Sequence, residues 1–79
     1  MLASAHMRRA TLYVQTGCAH CATARADLAA RGVTCTEVNV TEHPEAIPEL
    51  LKLTKGERVL PVIVEGGRVH VAPHGGTTF

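Results

Sequence analysis

Hydrophobic and polar positions change period several times along this chain, and each change marks an element. Thr11-Leu12-Tyr13-Val14-Gln15 is a short apolar run that suits a strand, closed by the turn residues Thr16-Gly17. Cys21 to Ala30 is rich in Ala, Leu and Arg, residues that lose little on entering a helix; Arg31-Gly32 then supplies a basic last turn and a glycine stop. A second strand is predicted from about Thr34 to Val40. In Thr41-Glu42-His43-Pro44-Glu45, a capping threonine, first-turn acids and an early proline announce a helix from Pro44 to Thr54. Its core stripe is Ile47, Leu50, Leu51 and Thr54, and Pro48 confines its regular part to the later turns.

Lys55-Gly56-Glu57-Arg58 breaks this pattern before Val59-Leu60-Pro61-Val62-Ile63-Val64, a third and strongly β-branched strand. Gly66-Gly67 reads as a tight hairpin turn into a fourth strand, Arg68 to Val71. The tail Ala72-Pro73-His74-Gly75-Gly76-Thr77-Thr78-Phe79 is too short and glycine-rich for another helix. The order β-α-β-α-β-β implies an α/β fold in which a parallel strand pair is extended by antiparallel strands, with helices packed on the sheet.

Seventy-nine residues allow one small domain, expected over 8–79. Residues 1–7, ending in His6-Met7, read as a tag or disordered leader. With one Phe, one Tyr and no Trp, the core must be built from Val, Leu, Ile and Ala. A formal net charge of +1, with Arg and Lys scattered among acids, gives no electrostatic support for nucleic-acid binding. No apolar run reaches membrane-spanning length and no long apolar secretion segment is evident, so a cytoplasmic protein is expected.

The chemistry is concentrated at Cys18-Ala19-His20-Cys21, where the first strand becomes the first helix. Three cysteines without a secretion segment argue for redox or metal chemistry rather than a structural disulfide framework. Only a thiolate attacks a disulfide, and a helix N-terminus stabilises a thiolate, so Cys18 is the expected nucleophile. Cys21, one turn further in, is the expected resolving thiol. A protonated His20 would favour the Cys18 thiolate and make the couple more oxidising. The same two cysteines also suit a soft-metal or iron–sulfur binding module, since Thr16 to Ala22 resembles the loop of small heavy-metal-associated domains. Cys35 reads as a small core residue, and His43, His70 and His74 lack ligand spacing.

From Arg9 to Gly76 the chain resembles a glutaredoxin, in particular the short glutaredoxin-like redoxins of the thioredoxin-like fold. Three matches in order carry the resemblance: the C-x-x-C, then Gly56-Glu57-Arg58-Val59-Leu60-Pro61, then Gly75-Gly76. The resemblance implies a four-stranded mixed sheet with helices on both faces, here without the family's last helix. It implies a cis bond before Pro61, with the Leu60 backbone offered to an extended thiol substrate. Gln15, Arg58, Val59, Leu60, Pro61, Gly75 and Gly76 become the expected substrate- or glutathione-binding residues. The implied activity is thiol–disulfide exchange with glutathione as co-substrate and no bound cofactor. Electrons would come from glutathione or a flavin reductase and pass to disulfide-containing protein substrates. Departures from the family pattern are Ala19 and His20 in place of Pro and Tyr, Gln15 in place of Lys, Val59 in place of Thr, and Thr77-Thr78 in place of an acid after the double glycine. Without the last helix, an apolar strip beside the first helix is expected, covered by a second copy of the chain or by a partner.

Overall fold

The computed structural model describes residues 8–79; the expected leader, residues 1–7, lies outside them. Strand β1 (Arg8–Val14) leads into helix α1 (Ala19–Ala30), which crosses over to strand β2 (Val33–Asn39). A single 3₁₀ turn (Pro44–Ala46) then precedes helix α2 (Ile47–Thr54). Strands β3 (Val59–Leu60), β4 (Val62–Glu65), β5 (Arg68–Val71) and β6 (Thr77–Thr78) complete the chain. The main sheet runs β2-β1-β4-β5, with β1 and β2 parallel and the other neighbours antiparallel, while β3 pairs with β6 in a separate two-stranded ribbon.

Register shows which helix covers which face. Leu12 of the central strand lies opposite Ile63, and Ile63 opposite His70. On this face Arg25 of α1 reaches Glu37 of β2 through Nε (2.5 Å) and Nη2 (2.9 Å). Tyr13, Val62 and Val71 share the other face, beneath α2. Burial, and then Glu49 of α2, push the Tyr13 phenol pKa upward. Because adjacent residues of a strand point to opposite faces, the burial of Leu12, Tyr13 and Val14 alike requires cover on both sides. Helices on both faces supply it. Cys21, Ala24 and Leu28 are the buried residues of α1, and Leu50 and Thr54 those of α2. The buried Thr54 hydroxyl is satisfied by donating to the Glu57 carbonyl (2.7 Å).

Several boundaries differ from the sequence expectation. Strand β1 begins at Arg8 rather than Thr11, because Arg8 and Arg9 pair with Val33 and Thr34 and the Arg8 guanidinium meets Glu65 at 2.6 Å. Helix α1 begins two residues early, since the Cys18 sulfur accepts the Cys21 N–H (3.1 Å) and so acts as its cap. Thr41 does not cap α2: its hydroxyl accepts the Thr16 N–H (3.1 Å), and His43, in the cap position before the 3₁₀ turn, makes no side-chain cap bond. Pro61 divides the expected third strand into β3 and β4. The tail supplies β6 where no element was predicted. Both hairpin glycines have positive φ, 56° and 84°, as a type I′ turn requires. Pro44 to Leu51 is helical throughout, which departs from the order of a heavy-metal-associated domain, where a strand would stand.

The strip expected beside α1 is a groove of mixed lining. Among the described residues no helix follows α2, and the groove between α1, β4 and β5 presents a mixture of polar and apolar surface. Asp27, Arg31, Glu65, His70 and His74 line it, with Ile63 and Pro73 as its apolar members. Ile63 is only 4% exposed, and the tail returns over α1 to bring His74 Nε2 within 3.8 Å of Asp27.

Candidate redox site

The turn between β1 and α1 is held by a small polar network. Asn39, at the end of β2, donates from Nδ2 to Thr16 Oγ1 (3.2 Å) and accepts the Thr41 N–H through Oδ1 (2.8 Å). Thr41 in turn accepts the Thr16 N–H. Gly17 follows at φ 78°, a conformation that a side chain would disfavour, and delivers Cys18 to the start of the helix. Asn39, which the sequence pattern did not single out, and Thr41, read there as a helix cap, are thus positioning residues; an Asn at a strand end with a Thr two residues on is a signal for such turn bonding.

Cys18 and Cys21 lie with their sulfurs at disulfide-bonding distance and their Cα atoms 5.2 Å apart. Their exposures differ: Cys18 is partly exposed, whereas Cys21 is 1% exposed and belongs to the core. The Cys21 N–H aimed at the Cys18 sulfur, together with the partial positive charge of the helix start, favours negative charge on that sulfur over the neutral thiol. An accessible sulfur that accepts a helix-start N–H, beside a shielded sulfur within bonding reach, is the minimum apparatus of a dithiol couple.

The third motif element is the Leu60–Pro61 bond, which is cis. Leu60 and Pro61 are fully buried, and the Pro61 carbonyl accepts the Ala72 N–H (2.8 Å). A family model described as Glutaredoxin matches residues 10–71. The chain belongs to the glutaredoxin family. Neither the curated proteins nor the solved structures provide a match to set beside it. The glutaredoxin match takes in β1 through β5, including both cysteines and the cis-proline, and stops where the tail begins. The mixed sheet with its two helices is the family's thioredoxin-like fold.

The structure brings the remaining expected site residues together, but around the chain's own tail. Gln15 Nε2 donates to the Thr78 carbonyl (3.3 Å), and Arg58 Nε donates to the Phe79 carbonyl (2.9 Å). The Arg58 guanidinium also lies 4.7 Å from the centre of the Phe79 ring, a cation–π contact. His20 reaches the tail too, with Nδ1 3.5 Å from Thr77 Oγ1. Gly75, at φ 96°, lies beside the His20 ring. Gly76 is so close to β3 that a Cβ there would meet the Leu60 carbonyl oxygen at 2.5 Å, so only glycine fits. Thr77, Thr78 and Phe79 were not expected to engage these side chains, because nothing in a Thr-Thr-Phe ending signals a pairing partner.

Cys35 stands apart from this site, on the α1 face of β2 and packed against the core. Burial, then Glu37, push its thiol pKa upward, with Arg25 opposing. A raised thiol pKa leaves less thiolate at neutral pH, so Cys35 in the reduced protein should alkylate with iodoacetamide at least about tenfold more slowly than Cys18. Time-resolved mass mapping at pH 7 checks this, and equal rates would contradict it. Among the described residues, no group of three or more His, Cys, Asp or Glu side chains is arranged to hold a metal.

Proposed function

We propose that this glutaredoxin is a dithiol–disulfide oxidoreductase with Cys18 as nucleophile and Cys21 as resolving thiol. The Cys18 thiolate attacks a substrate disulfide or a glutathione mixed disulfide, forms a new S–S bond and expels the first thiolate, which takes a proton. The Cys21 thiolate then displaces the second thiol and leaves the Cys18–Cys21 disulfide. Two electrons and two protons from a thiol reductant restore the dithiol. Glutathione is the co-substrate of this cycle, a flavin reductase is the competing donor, and disulfide-containing proteins are the substrates. The reducing cytoplasm is the compartment that suits it.

The observation that carries this reading is the pairing of a partly exposed, helix-capping Cys18 with a buried Cys21 at bonding distance. The cis bend before Pro61 supports it, because it ends the short strand β3 and leaves a strand edge of the kind that an extended thiol substrate pairs with by strand addition. The experiment uses metal-free, reduced protein in a disulfide-reduction assay, coupled first to glutathione with glutathione reductase and then to thioredoxin reductase. Turnover with one of them supports the reading and names the donor. Absence of turnover with both, in a protein that binds stoichiometric Cu(I) or an iron–sulfur cluster, would replace it with the metal-module reading.

A further inference from the structure

The edge of β3 next to Pro61 is occupied by residues 76–79. The register sets Leu60 opposite Thr77 and Val59 opposite Thr78, and the Phe79 N–H donates to the Arg58 carbonyl (3.1 Å). In an antiparallel ladder, hydrogen-bonded and non-hydrogen-bonded pairs alternate. Arg58 and Phe79 form a bonded pair, so Leu60 and Thr77, two residues along, form the next one. Both the N–H and the C=O of Leu60 are therefore satisfied by Thr77. The side chains of Gln15 and Arg58 are engaged by the carbonyls of Thr78 and Phe79 in the same way.

We propose that Gly76–Phe79 is an autoinhibitory strap, an internal strand that competes with an extended thiol substrate for the Leu60 backbone. The inference rests on the oxidoreductase reading above, in which that backbone receives the substrate. Three observations carry it. The strap uses the hydrogen-bonding groups that an added strand would use. It crosses the start of α1, where Thr77 meets His20 two residues from Cys18. It is also a weak element: β6 has only two residues, both exposed, and lies beyond the stretch matched by the family. A few net hydrogen bonds, each modest in water, hold such a strand closed most of the time while leaving it displaceable. Glycine at 76 allows the close approach. Substrate then binds only to the open fraction, so its apparent affinity falls by that fraction while chemistry in the bound complex is unaffected.

Thr77→Pro removes the N–H that bonds Leu60. With a glutathionylated peptide as substrate, KM should fall about tenfold while kcat is unchanged. An unchanged or higher KM in the folded variant would overturn the strap. A second measurement keeps the native tail: Cys21→Ser is treated with glutathione disulfide, and the mixed disulfide on Cys18 is verified by mass. Hydrogen exchange of the Thr77 amide should then speed up at least about tenfold over the untreated protein. Adduct formation with Thr77 still protected would overturn the strap and leave the oxidoreductase reading standing. Failure to form the adduct would overturn that reading and the strap with it.

Discussion

Cys18→Ser should reduce disulfide-reduction turnover to the uncatalysed rate. A serine hydroxyl forms no disulfide and stays protonated at neutral pH, so the first bond of the exchange cannot be made. The fold should survive, because serine can accept the same Cys21 N–H and is a favourable N-cap. Cys21→Ser should behave differently. Its nucleophile is intact, so the variant should take up one equivalent of a glutathione mixed disulfide at Cys18 and stall there, unless a second thiol from solution releases it. Mass spectrometry of both variants after exposure to glutathione disulfide separates the roles. An adduct on Cys18→Ser, or stalling in neither variant, would reverse or dissolve the assignment. Cys35, half-buried with its pKa pushed up, should carry no adduct in either protein.

Leu12→Ala should be the most damaging apolar substitution in the sheet. Leu12 is fully buried at the middle of the central strand, flanked by Glu37 on one side and Ile63 on the other, beneath α1. Truncation there leaves a cavity between strand and helix, at a cost of about 2–5 kcal/mol. A domain of this length has a total stability of roughly 4–12 kcal/mol, so the loss is a large share of it. The corresponding fall in Tm is about 10 °C or more. Val69→Ala is the comparison: Val69 is 37% exposed, and its truncation should change stability by no more than about 0.5 kcal/mol. Urea unfolding of the two variants beside the parent checks both statements, and similar losses would show that the core has been misplaced.

The elements set by local pattern were legible without the structure. Alanine-rich spacing marked α1, the Ile47-Leu50-Leu51 stripe marked α2, and the paired glycines marked the turn between β4 and β5. What escaped notice depends on contacts between residues far apart in sequence. Arg8 and Arg9 look like a polar lead-in, yet they are strand because β2 pairs with them and Glu65 binds Arg8. Thr41 looks like a helix cap, but its hydroxyl is drawn instead to Thr16, twenty-five residues away. Thr77 and Thr78 form a strand only because β3 offers an edge. The polar residues in the groove beside α1 escaped for the same reason, since its lining depends on the tail bringing Pro73 and His74 back across the sheet. At the site, the C-x-x-C and the proline were readable as spacing. The engagement of Gln15 and Arg58 by the tail was not, because a long polar side chain takes whichever carbonyl the fold places near it.

The most direct test of the central claim is an equilibrium thiol count. The protein is poised in mixtures of reduced glutathione and glutathione disulfide, quenched by alkylation, and mapped by mass for Cys18, Cys21 and Cys35. A dithiol couple predicts that Cys18 and Cys21 lose their thiols together in a single two-electron transition, with Cys35 reduced throughout. Cys18 and Cys21 that remain free thiols across the whole series, or that titrate independently of each other, would contradict it.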